Sequence, residues 1–189
     1  MKFELMLTGR IPSSNKKLNL DLAKRIRRQV DDQMKTLWEA NPLSGFQKWR
    51  ANKEYNENTW EGAAVFDKKD RKFVALINDR LLLAARISFH FYDPEGGLDI
   101  KSHIVDVDNR LKVLLDLLRV PDDLKQVPED IDTNYCLLSD DKLVWGVSVE
   151  RHRLLAPINS ENHFTRLVVE VVPAKMAMGN ISLFGVEAH

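Results

Sequence analysis

The chain has 189 residues, enough for one domain that buries a core without disulfides or a structural metal. Apolar residues make up 44% and charged residues 30%, as in a globular protein, and no apolar run reaches the roughly 18 residues of a membrane helix. The opening Met1-Lys2-Phe3-Glu4-Leu5 is not expected to act as a signal peptide, and the lone Cys136 excludes an intrachain disulfide, so the expected location is the cytoplasm. Net charge is zero but unevenly spread. Residues 1–60 hold twelve Lys/Arg against seven Asp/Glu, while residues 92–141 hold five against thirteen. A chain that binds phosphates with one part and metal with another has this pattern, and so does a protein with an uneven surface.

In chain order, Phe3–Pro12 reads as a first strand closed by Pro12. After the polar loop Ser13–Lys17, Leu22, Ile26, Val30, Met34, Leu37 and Trp38 mark one face of a helix of about five turns that ends before Asn41-Pro42. The opposite face carries Lys24, Arg25, Arg27 and Arg28, either solvated or in contact with phosphates. Residues 42–80 have little periodicity at their start and read as an insertion, 42–72 being an excursion from the core with one short strand at Ala63–Phe66. Strands are expected at Phe73–Ile77 and Leu81–Tyr92, then a turn at Asp93–Gly97. Leu111, Leu114, Leu115 and Leu118 mark a second helix, with Asp108 or Asn109 as its N-cap. The acidic stretch near 119–136 reads as a loop. Strands at Trp145–Glu150 and Leu167–Val172 complete an α+β fold, one domain over 1–189 with a mixed sheet and flanking helices.

The chemistry concentrates in the aspartates. In extended chain Asp106 and Asp108 point to one face, where two carboxylates repel unless they share a cation or a proton. Hard oxygens at this spacing suit Mg²⁺, and Asp140-Asp141, just before a strand, offers another carboxylate at the same point. Without metal, such a cluster should have raised pKa values. Lys112 lies one helical turn beyond Asp108 and could neutralise a phosphate. The same residues also fit simple caps and turns. The five histidines show no zinc-ligand spacing, and neither a calcium loop, a Gly-rich phosphate loop nor a Gly-x-Ser-x-Gly elbow is present.

The run Asp106-x-Asp108-Asn109-x-x-Lys112-x-x-x-Asp116-x-Leu118, followed by Asp140-Asp141 before a strand, resembles the RusA-type Holliday junction resolvases. Pro12-Ser13-Ser14-Asn15 is loosely similar to the family's Pro-Pro-Ser-Asn loop. The resemblance covers that loop and residues 86–155, and the gap between the two aspartate motifs is longer here than in the family. It implies a homodimeric, Mg²⁺-dependent endonuclease (Mn²⁺ being the alternative ion) that hydrolyses phosphodiesters in branched DNA, a type often encoded in prophages. It further implies metal ligation and catalysis by Asp106, Asp108 and Asp141, with Asp140 able to replace Asp141, Lys112 acting on the phosphate and Asp116 structural. Asn15, Lys16, Lys17, Lys24, Arg27 and Arg28 are the expected DNA contacts. The alternatives are a non-cutting branched-DNA-binding module of the same fold, or an interaction domain whose aspartates only cap and turn.

Overall fold

Alternation of buried and exposed residues shapes the first sheet. Leu5 and Leu7 face inward from β1 (Lys2–Thr8), Ile87, Phe89 and Phe91 from β4 (Leu83–Asp93), and Leu167, Val169 and Val171 from β7 (Phe164–Pro173). With β6 (Val144–Arg153) these form a mixed sheet in the order β1-β7-β4-β6, in which β4 and β6 are parallel and the other pairs antiparallel. A second, three-stranded sheet has the order β2-β3-β5, from β2 (Val65–Lys68), β3 (Arg71–Ile77) and β5 (Thr133–Leu138). The β3–β5 pair is parallel, and Phe73–Ile77 are buried without alternation, as expected of a strand covered on both faces. The computed structural model describes residues 1–13, 18–94, 100–155 and 163–185, and of 100–106 only the backbone.

Two helices pack on these sheets. Helix α1 (Leu20–Glu39) begins at Asn19, whose side chain accepts the Leu22 N–H at 2.7 Å, and buries Ala23, Ile26, Val30, Met34 and Trp38. Its length and face are those read from the periodicity. Helix α2 (Ile100–Leu118) buries Val113, Leu114, Leu117 and Leu118. The two helices and both sheets meet in one core that includes Trp38, Trp49, Ile77, Phe89, Leu114 and Leu138. The fold is therefore α+β, with two mixed sheets where one was expected. Among the described residues no helix is long and apolar enough to cross a membrane.

Three expectations are corrected. Residues 42–72 do not leave the core: Trp49 is fully buried, edge-to-face against Trp38 at 6.3 Å. The acidic stretch is not only a loop, since Thr133–Leu138 is β5, held by β3 and by the Asp31 carboxylate, which accepts the Tyr135 N–H at 2.7 Å. Finally, α2 starts at Ile100 rather than at Asp108 or Asn109, so both aspartates of the first motif lie inside a helix. Helical positions two apart differ by about 200° around the axis, so the shared face expected of extended chain does not apply.

Candidate functional site

The aspartate motif is carried by α2 and held by a buried ion cluster. Asp93, the last residue of β4, is 4% exposed, and its carboxylate accepts from Arg110 Nη1 at 2.8 Å, Arg151 Nε at 3.1 Å and the His163 ring at 2.9 Å. Burial alone would raise its pKa. The His163 hydrogen bond and the Arg110 charge outweigh that and hold it below the usual carboxylate value. Arg110 sits between Asn109 and Lys112 in the motif, so this cluster fixes the motif's turn of α2 at the C-terminal end of β4 and against β6. Asp108 and Lys112, four residues apart, are exposed on that helix. The side chain of Asp106 lies outside the described residues.

The Asp140-Asp141 pair follows the strand that meets the C-terminal end of α2. The end of the helix meets the end of β5 through the Arg119–Leu138 bridge and the Val120 N–H donated to the Leu138 carbonyl at 2.9 Å. Asp140 follows directly and caps the turn Asp141–Leu143, accepting the Lys142 N–H at 3.0 Å, with Lys142 Nζ 3.2 Å from its other oxygen. From Asp108 to Arg119 the helix rises about 16 Å. That exceeds by far the reach of one cation with bonds of about 2.0–2.1 Å. Asp108 is thus well separated from the end of α2 that meets β5. Nor does Asp140 show the raised pKa expected of a crowded carboxylate: the Lys142 N–H, followed by the Lys142 ammonium, holds it low. Asp116 behaves as a structural residue, its carboxylate 3.3 Å from Arg119 Nε.

The expected DNA contacts fare unevenly. Asn15, Lys16 and Lys17 lie outside the described residues. Arg27 is corrected outright: it is 2% exposed and donates to the carbonyls of Asp116 and Arg119, each at 2.9 Å, so it cannot touch a phosphate from the surface. Lys24 and Arg28 are at the surface but engaged, Lys24 with Glu129 at 3.0 Å and Arg28 with both oxygens of Asp130 at 2.9 and 2.5 Å.

A second group of chemistry-bearing side chains escaped the sequence reading. On the outer face of the first sheet, His90 of β4 pairs in register with Glu150 of β6, and Tyr92 with His152. His90 Nδ1 lies 3.1 Å from His152 Nε2 and 3.4 Å from Glu150 Oε2, and His152 Nε2 lies 3.5 Å from that oxygen. Among the described residues this is the only group of three or more His, Cys, Asp or Glu whose ligand atoms converge within 4.8 Å. Its ligands come from two strands about sixty residues apart in sequence. The only local signal was Glu150-x-His152, two residues apart on one strand face. No family model matches the chain, and the comparison with curated proteins finds no significant match.

Proposed function

We propose that the chain is a RusA-type, Mg²⁺-dependent endonuclease that acts on branched DNA as a homodimer. The observation that carries this reading is the exposed Asp108 and Lys112, one turn apart on α2, flanking an Arg110 locked to Asp93. A carboxylate and a cation so fixed can face one phosphodiester. The carboxylates are hard donors that fit Mg²⁺, which when bound supplies an activated water and a counter-charge for the phosphate. Because Asp108 lies in the middle of α2 and Asp140-Asp141 follow the strand that meets its C-terminal end, the proposed site takes Asp108 of one copy and Asp141 of the partner subunit. A two-fold axis builds two such sites, matching a substrate that is cut twice.

The test is a denaturing gel of a synthetic four-way junction incubated with the protein, with and without Mg²⁺. Wild type should cut only with Mg²⁺. Asp108→Asn should abolish cleavage while binding is retained or tightened, since the amide keeps the shape but not the charge. Mixing Asp108→Asn with Asp141→Asn subunits should restore nicking, because half of the mixed dimers' sites are intact only if each site spans two chains. An uncut junction rejects the nuclease reading; a mixture as inactive as its parents rejects the shared site. One observation favours a second reading, in which the aspartates only cap and turn: each oxygen of Asp140 already has a partner in its cap. That reading expects no cleavage under any condition.

A further inference from the structure

We infer that His90, Glu150 and His152 form a binding site for a divalent transition ion of the Zn²⁺ class, separate from the aspartate motif. The first argument is metric. Three donors bound to one tetrahedral Zn²⁺ at about 2.0–2.1 Å stand about 3.3–3.4 Å apart. The donor atoms here are separated by 3.1, 3.4 and 3.5 Å, so a point just off their plane lies about 2 Å from all three, and an ion there replaces the proton shared by the two imidazoles. Regular octahedral coordination would ask for shorter edges, about 2.9–3.0 Å.

The second argument is pre-organisation. His90 and His152 are stacked, with centroids 5.3 Å apart, and Tyr92 stacks on His152 at 4.5 Å and on Phe164 at 4.3 Å. The β4–β6 register fixes both backbones, and Ser148 donates to Ser88 at 2.7 Å one pair earlier on the same face. Ligands held by packing lose little freedom on binding metal. The donor set decides the class of ion. Two imidazoles and one carboxylate suit Zn²⁺, whereas Mg²⁺ and Ca²⁺ prefer all-oxygen shells. Glu150 and His152 have side chains 59% and 35% exposed, so the remaining coordination position opens to solvent and can take a water. Strand alternation separates this site from the motif: Asp93, which anchors α2, points inward from β4, and His90 points outward. Cys136 offers no competing thiolate, since burial pushes its thiol up to about 12.

The test uses the whole 189-residue chain stripped with EDTA and titrated with Co²⁺ as a spectroscopic probe, then with Zn²⁺ by calorimetry. The expected result is one equivalent of Co²⁺ with the intense visible bands of tetrahedral coordination, displaced by Zn²⁺ and not by a hundredfold excess of Mg²⁺. Loss of a group that only hydrogen-bonds to a metal ligand weakens metal affinity about 10–100-fold. His152→Ala, which removes a ligand, should weaken Zn²⁺ binding by at least about 100-fold, and Glu150→Gln by at least about tenfold. Should His152→Ala fail to fold, Glu150→Gln decides, because it is nearly isosteric and exposed. Weak octahedral bands, displacement by Mg²⁺, or wild-type Zn²⁺ affinity in the Glu150→Gln variant overturns the site.

Discussion

A single buried carboxylate, Asp93, joins β4, β6, α2 and the residue before β7 through Arg151, Arg110 and His163. Charges out of water are tolerated when they are paired, and breaking a buried pair is strongly destabilising. Asp93→Asn should therefore destabilise the protein by about 3–5 kcal/mol in urea unfolding. Because the folded-state pKa of Asp93 is lowered, its contribution is complete above the unfolded carboxylate value of about 3.9. It is lost as the pH falls from there through the folded value. Stability measured from pH 6 to pH 2 should thus fall more steeply for wild type than for Asp93→Asn. Parallel curves would show that the cluster contributes nothing specific. In the sequence, Asp93-Pro94 looked like an ordinary turn, because the partners of a buried acid come from distant parts of the chain.

At the scale of elements, one edge of the first sheet is covered by side chains. The backbone of β1 is closed by two glutamines of α1. Gln33 accepts the Met6 N–H and donates to the Met6 carbonyl, both at 2.8 Å. Gln29 does the same for Thr8, at 2.7 and 3.2 Å. A strand edge covered in this way cannot template further pairing. Replacing both glutamines with Ala should cost about 1–3 kcal/mol in urea unfolding, as several hydrogen bonds of about 1 kcal/mol each are lost. An unchanged midpoint would mean that water replaces them without loss. Much of the frame was legible: α1 from its apolar stripe, β4 and β6 from alternation, and β1, β3 and β7 as short apolar runs. β5 was hidden because it follows an acidic, proline-containing run and opens Thr-Asn-Tyr-Cys, where the buried positions are held by Asn134 and Cys136 rather than by large apolar residues. The start of α2 was legible but misread. Ile100, Ile104, Val107 and Leu111 continue the helical period upstream, yet Asp106-x-Asp108-Asn109 also has the composition of a cap. The aspartates themselves could be found by motif, but not the distance between the two pairs, which depends on the direction of α2. The His90–Glu150–His152 group depends on the β4–β6 register, which no local pattern reveals.

For the whole molecule, the uneven charge has an internal explanation. The basic face of α1 meets the acidic stretch after α2, where Lys24 pairs with Glu129 and Arg28 with Asp130, and Arg27 is buried beneath them against backbone carbonyls. If this face belongs to the DNA-binding surface of the proposed nuclease, Glu129 and Asp130 compete with phosphates for it. Replacing both with Gln frees two cations. Stability should change little, since exposed pairs of this kind contribute about 0–1 kcal/mol each. DNA binding should respond much more. Each additional phosphate neutralised adds about 0.9 to the magnitude of the slope of log affinity against log salt. The double variant should therefore bind a labelled four-way junction more tightly at low salt, with a slope up to about 1.8 steeper than wild type. Fluorescence anisotropy over a NaCl series measures both quantities. Tighter binding with an unchanged slope would reflect only the loss of repulsion between acid and DNA. Unchanged affinity and slope would remove this face of α1 from the footprint and leave the two patches as partners of each other alone.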